Sequence, residues 1–401
     1  MAVAAGPAAK ATAPVLTLAT AVAAAQALVP ALRGRAAHAE ELRRTPDESV
    51  RELQASGLMR ILQPKRVGGS EAEWVTLVDV GAELARGCGS TAWNWSNWAA
   101  HHWMLALWPP RCQDEVWGAD PAAIIGSALM FPPGKATRVA GGYRLSGRWP
   151  FSSGVDQSAW SMIGGIVAGD APEMRLFMVP ASDYRILDTW RAMGLRGTGS
   201  KDVEASDIFI PEHRALALDA IKGGEHPGAA ANPGALYRIP CFAALAHMLC
   251  GIPLGIAQGA YDTFLEGLRG RVSRYSGKSL ADLTAVQMKL AEAGACVDTA
   301  RLSLRSRAQE AEAIARRGEV PDLVTKAAWR RDGAFAAQLC GRAMDIVFTA
   351  SGASGLYDDQ PLQRAFRDLR AANQHISMMW DAQATTYGRI ALGVPSDNAT
   401  L

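Results

Sequence analysis

The feature that most limits what this chain can fold into is a change of texture made twice. Up to about Gly118 the apolar residues recur at helical spacings; from Ile124 to Pro211 they fall in short alternating runs broken by glycine and proline; from Leu236 onward the helical spacing returns in long blocks. The middle runs are Ile124–Met130, Thr137–Val139, Tyr143–Ser146, Ser161–Val167, Arg175–Val179 and Val203–Ile210. A period of two marks strands and a period of 3.6 marks helices. Roughly 90 residues of such strands suit a barrel or sandwich. The expectation is an α+β chain of several domains. Residues 1–122 form an N-terminal all-α domain whose first ~20 residues are expected to be poorly ordered. Residues 123–215 form a central β-barrel, 216–235 a connecting loop, and 236–401 a C-terminal four-helix bundle.

On the N-terminal side, Leu28, Leu32, Val50, Leu53 and Leu58 mark two helices parted by the turn Arg44-Thr45-Pro46-Asp47, and Glu73–Arg86 makes a third. Ser90 reads as the N-cap of a fourth, carrying Thr91 to Trp103, and Asp114–Gly118 as a short fifth. The bundle blocks are Ile239–Arg271, Leu283–Arg317, Pro321–Thr349 and Pro361–Leu392, and Ile221–Gly234, with four glycines and two prolines, reads as a flexible excursion before them. Leu283, Val286, Leu290, Ala293, Val297, Ala300 and Leu304 keep one face apolar, as antiparallel packing requires. The Ile239 block is apolar on more than one face, which predicts a homotetramer.

Charge and cysteines narrow the partners. A net charge of +2 from 41 basic and 39 acidic side chains, without a basic run, argues against nucleic acid. The six cysteines form no C-x-x-C pair and have no histidine at ligand spacing, so no metal is expected and they read as reduced core residues of a cytoplasmic protein. The apolar stretch Val15–Leu28 is diluted by alanine and followed by Pro30, which should interrupt it, so a first helix is expected there in place of an export signal or membrane span. Gly194–Ser200 lacks the Gly-Lys-Ser/Thr ending of a phosphate loop, and no G-x-G-x-x-G opens a helix to hold a nicotinamide dinucleotide.

Two stretches carry chemistry. Ser146-Gly147-Arg148-Trp149-Pro150-Phe151-Ser152-Ser153-Gly154 joins a strand-like run to an aromatic pair, two hydroxyls and a glycine. It can lay N–H groups and hydroxyls along the edge of a planar polar ring such as a flavin, with Trp149 or Phe151 over the ring's face; a hairpin merely turned by Ser-Ser-Gly fits the same residues. Asn94, Asn97, Trp98 and His101 recur at helical spacing and put a polar, aromatic stripe where leucines would normally pack. His101 alone reads more readily as a hydrogen-bonded core histidine; with two asparagines and a tryptophan on the same stripe, the wall of an aromatic-ligand pocket fits equally well.

Met193-Gly194-Leu195-Arg196-Gly197-Thr198-Gly199-Ser200, followed by Val203 and Asp207–Pro211, resembles the mid-domain signature of the acyl-CoA dehydrogenase fold, and the helix-barrel-bundle order extends the likeness from Glu40 to Leu392. Dehydrogenases of that superfamily use a glutamate shortly after an Arg-Asp pair; here Arg367-Asp368 is followed by Ala371-Ala372-Asn373-Gln374-His375-Ile376, without a carboxylate. With His375, the Trp149–Gly154 run and Ala100-His101-His102-Trp103, the chain resembles the oxygenase components of two-component flavin monooxygenases. The resemblance implies reduced FMN or FAD supplied by a separate NAD(P)H:flavin reductase, O2 held as a C4a-hydroperoxide, and hydroxylation of a small aromatic or polycyclic substrate. It implies His101 and His375 as catalytic residues, with Asn94, Asn97, Trp98 and His101 lining the substrate. It puts Ser127, Trp149, Phe151, Ser152 and Ser153 beside the ring, Arg271 or Arg274 at the flavin phosphate of a neighbouring subunit, and Ser351, Gly352 and Gly355 at the outer cofactor site. Trp93, Trp95, Trp98, Trp103 and Trp149 are expected to wall off water. An acyl-CoA dehydrogenase-like oxidase or dehydrogenase, S- or N-oxygenation by the same chemistry, and a non-catalytic protein of this fold are the alternatives.

Overall fold

The computed structural model describes residues 14–401 apart from 271, 273–276 and 397. The first part holds α1 (Leu18–Leu42), α2 (Asp47–Ala55), α3 (Thr76–Ala85), α4 (Gly89–Leu105) and α5 (Pro110–Ala119). Among the described residues, eight strands follow: β1 (Ile125–Ala128), β2 (Gly134–Val139), β3 (Gly142–Ser152), β4 (Trp160–Val167), β5 (Glu173–Pro180), β6 (Arg185–Leu187), β7 (Lys201–Pro211) and β8 (Ala215–Ala217). The last part holds α6 (Cys241–Leu268), α7 (Thr284–Arg316), α8 (Leu323–Ser351), α9 (Pro361–Ala372) and α10 (Trp380–Ala391).

The barrel ladder runs β6-β7-β3-β2-β4-β5-β8, with β1 parallel to β4. Its interior is closed by Tyr143, Leu145, Trp149, Ile163, Phe177, Val203 and Ile210. In the bundle, α6 is long and apolar enough to cross a membrane by length and composition, but 89% of its apolar window is buried inside the molecule, as in a core helix. All six cysteines are buried and unpaired.

Helix α4 is the hub. All 17 of its residues are buried, so it belongs to no single layer. Trp95 Nε1 donates to the Leu58 carbonyl at 3.1 Å, Ser96 Oγ bonds the Met248 carbonyl on α6, Trp103 Nε1 donates to Leu236 O at 2.9 Å, and Asn94 Nδ2 donates to Thr198 O at 3.0 Å beside the barrel.

Several sequence expectations change here. Helix α1 runs through Pro30 without interruption, its start fixed by a capping box of Thr17 and Thr20. Ser90 is not the N-cap of α4; Cys88 is, with no side-chain cap bond. The Ile221–Gly234 segment is pinned, since Asn232 Nδ2 donates to Ala106 O at 2.8 Å and Gly228 N–H donates to Leu107 O at 3.1 Å. The last block is two helices. Asn373 ends α9, a 3-10 turn spans Ile376–Met378, and α10 restarts at Trp380. His375 sits in that break.

Candidate active site

The break in the last helix, the end of β3 and the glycine-rich turn converge on one face of α4. His375 caps the Ile376–Met378 turn, its Nδ1 accepting from Ser377 N–H at 3.2 Å. A neutral imidazole that accepts at Nδ1 carries its hydrogen on Nε2. Its ring meets Trp93 edge-on at 5.6 Å between centroids, and Trp93 Nε1 donates to Ser153 Oγ at 3.1 Å. Ser153 lies 2.7 Å from Ser200 Oγ, which lies 2.7 Å from Thr198 Oγ1. Gly154 (φ 67) follows, packed so closely on Trp98 that a Cβ would sit 2.6 Å from the indole nitrogen.

His101 lies two turns beyond Trp93 on α4, about 12 Å along the axis at 1.5 Å per residue. The two histidines therefore bracket a volume and do not share a point. Fully buried, His101 bonds the Ile125 carbonyl through Nδ1 at 2.6 Å. A carbonyl only accepts, so Nδ1 carries the hydrogen and Nε2 keeps its lone pair; that Nε2 has no partner among the described residues. Burial pushes the pKa of each histidine down to about 4, leaving both neutral at physiological pH.

Among the described residues, further buried polar atoms lack partners: Trp98 Nε1, Ser152 Oγ and Ser161 Oγ where α4 meets β1 and residues 152–161, and Asn94 Oδ1 beside the glycine-rich turn. Leaving such groups unpaired costs about 1–3 kcal/mol each. Their gathering fits a polar, ring-shaped ligand, and a flavin satisfies this mixture of donors and acceptors. Ser351 and Gly355, with Phe264, Leu268 and Leu362, line a separate cleft of 150 Å³. A larger open groove of 740 Å³ on the barrel's outer edge, at Arg111, Glu115, Phe209 and His213, is lined by none of the expected residues.

The structure separates residues that the sequence grouped. Trp149 does not face the site; it fills the barrel interior, fully buried, and donates to Gly164 O at 2.7 Å. Trp95 and Trp103 are likewise committed to the helical core, Trp103 against Trp74 at 4.6 Å. Only Trp93 and Trp98 of the five reach the site. Phe151 is 63% exposed at φ 64, edge-on to Trp190 at 6.3 Å. Ser127 is half-buried on β1, and Asn97 caps the Trp93 carbonyl of its own helix at 2.8 Å. Gly352 is exposed at the end of α8. Arg271 and Arg274 lie outside the described residues. The sequence reading gave no role to Thr198 and Ser200, although hydroxyls two apart in a glycine-rich turn were visible.

The family model for the acyl-CoA dehydrogenase N-terminal domain matches residues 19–116, and that for the C-terminal domain matches residues 247–380. The chain is 35% identical to the flavin-dependent monooxygenase oxygenase subunit HsaA of Rhodococcus jostii strain RHA1, over 92% of this chain and 97% of that one. It is 34% identical to the oxygenase component of the FADH(2)-dependent resorcinol hydroxylase of Rhizobium sp., over 90% of this chain and 91% of that one. The crystal structure of 3-HSA hydroxylase from Rhodococcus sp. RHA1 superposes with a TM-score of 0.91 at 34% identity, covering 95% of this chain and 99% of that one. With no carboxylate in the last-helix break and a histidine in its place, the chain belongs to the acyl-CoA dehydrogenase-fold family of flavin-dependent monooxygenase oxygenase components.

Proposed function

We propose that this oxygenase component hydroxylates a phenolic ring at carbon, with His101 as the base that draws on the phenol proton and His375 as an N–H donor on the flavin side. The observation that carries the reading is His101: buried, neutral, its hydrogen fixed on Nδ1 by the Ile125 carbonyl and its Nε2 lone pair unclaimed. Such a lone pair can accept a hydroxyl proton and raise electron density at the ring carbon to be attacked. His375 has the opposite tautomer, so it offers a hydrogen where His101 takes one. Both relatives named above are oxygenase components or subunits, and one acts on resorcinol, a phenol.

Reduced flavin, delivered by a separate reductase, supplies the two electrons that activate O2. The residues that would hold it are Ser152, Ser153, Phe151 and Ser127 at the ring, and Ser351, Gly352 and Gly355 farther out. Trp93 and Trp98 keep water from the reacting atoms, and Asn94, Asn97 and Trp98 border the substrate. The test mixes the protein anaerobically with reduced FMN or FAD, then adds ¹⁸O-labelled O2 and resorcinol or another simple phenol. The expected product carries one labelled oxygen on a ring carbon. Hydrogen peroxide alone from every phenol tried, or oxygenation only of thioethers or amines, would overturn the reading.

A further inference from the structure

We propose that Trp98, Trp103, Trp74 and Trp329 form a route that carries a stray one-electron oxidation away from the oxygen site and out to the surface at Glu310. The inference needs only that the protein activates O2 with reduced flavin; it is independent of the roles proposed for His101 and His375.

The indoles differ in what receives their N–H. Trp95, Trp103 and Trp149 donate to backbone carbonyls, and Trp93 to a serine hydroxyl. None of those acceptors is basic enough to take a proton. Trp74 Nε1 donates at 3.1 Å to His247 Nδ1, and Trp329 Nε1 donates at 2.8 Å to Glu310 Oε2. An indole that loses an electron becomes a strong acid. One bonded to a base sheds its proton at once and holds the oxidation as a neutral radical.

Those two indoles are joined to each other and to α4. Trp103 on α4 meets Trp74 at 4.6 Å between ring centroids, and the His247 ring lies 5.7 Å from that of Trp329. Trp98, at the site, precedes Trp103 on the same helix by about 7.5 Å along the axis, at 1.5 Å per residue. Trp74, Trp103 and Trp329 are fully buried, whereas the Glu310 side chain is 39% exposed, so a proton delivered there reaches water. Burial keeps His247 neutral. Moving a proton to it from an indole radical cation leaves one positive charge in the same buried place, so burial does not oppose that transfer.

The steps balance. When no substrate is consumed, hydrogen peroxide takes one electron from reduced flavin and splits into hydroxide and a hydroxyl radical. The radical takes an electron from Trp98 and becomes hydroxide. Trp103 refills Trp98, and Trp74 refills Trp103 while its N–H proton passes to His247. Trp329 then refills Trp74, which recovers its proton, and Trp329 gives its own proton to Glu310. A thiolate in solution returns the electron and Glu310 returns the proton. The sum turns one hydroxyl radical and one thiolate into hydroxide and a thiyl radical, and the site residues are spared.

The experiment incubates the full-length protein with reduced FMN and O2 in the absence of any phenol, with and without an added thiol. Oxidised tryptophan and histidine are then mapped by peptide mass spectrometry in the wild type, Trp74→Phe and Glu310→Gln, compared at equal peroxide release. In the wild type without thiol, oxidation should collect at Trp329, and thiol should remove it. Trp74→Phe should leave Trp329 clean and raise oxidised Trp98 and His101 several-fold. Glu310→Gln, a surface change that keeps an oxygen for the indole N–H but takes no proton, should also raise oxidised Trp98 and His101. A wild type whose oxidation stays at Trp93, Trp98 and His101, or a map that neither variant changes, overturns the inference and leaves the proposed function standing.

Discussion

His101 on α4 and His375 in the break between α9 and α10 hold their hydrogens on opposite ring nitrogens, and in the proposed function the two tautomers divide the labour. His101→Ala should still consume O2 with reduced flavin but release it as hydrogen peroxide, with phenol hydroxylation down by roughly two to four orders of magnitude. His375→Ala should instead weaken reduced-flavin binding while the residual turnover stays coupled. Oxygen uptake, peroxide and product measured together separate these outcomes; the same fault in both variants would refute the division. The residue scale is also where the sequence was least legible. Trp149 and Phe151 lie two apart, and either could have covered a ring. A register shift between Trp149 and Ser152 sends Trp149 into the barrel and turns Phe151 outward, and nothing in the order of the letters marks that bulge.

At the scale of elements, the joint between the glycine-rich turn and α9 sets where His375 stands. Gly194 has no room for a side chain, since a Cβ would sit 2.1 Å from the Arg367 carbonyl. Glu40 ties the same corner to Arg367, with Arg364 at 3.5 Å and Arg196 at 3.8 Å. Gly194→Ala should therefore cost about 1–3 kcal/mol in denaturant unfolding and weaken flavin binding as well. Asp368 is fully buried there, and burial raises its pKa from 3.8 to about 6. A folded-state value above the unfolded one means that the stabilisation is complete below about 4 and is lost as pH rises through about 6. Asp368→Asn keeps an oxygen for Leu195 N–H, so its stability should vary less with pH across this window than the wild type's; equal slopes would refute the assignment. The histidines act oppositely. Depressed from 6.5 to about 4, they favour unfolding as pH falls through that interval. The helix-barrel-helix order was legible because each element repeats its own period. The break at His375 was not, because residues 373–379 contain no glycine or proline. It is made by tertiary bonds, Asn373 Nδ2 to Ala337 O at 3.0 Å and Gln383 Nε2 to Ile376 O at 2.7 Å.

For the whole molecule, apolar side chains left outside the single chain point to more chains. Met288 is 68% exposed and Leu302 70% on α7, and Phe335 on α8 is 47% exposed. Light scattering at micromolar concentration should give four times the chain mass; a monomer would count against the tetramer. NADH should not be oxidised by the protein until a flavin reductase is added. The burial of α4 on every side has a thermodynamic consequence as well. A helix shared by helical layer, barrel and bundle cannot lose one neighbour without exposing tryptophans to water, so the three regions are not three units of stability. Scanning calorimetry should record one transition whose van't Hoff enthalpy matches its calorimetric enthalpy per cooperative unit, and the amides of Gly89–Leu105 should exchange with deuterium only through global opening.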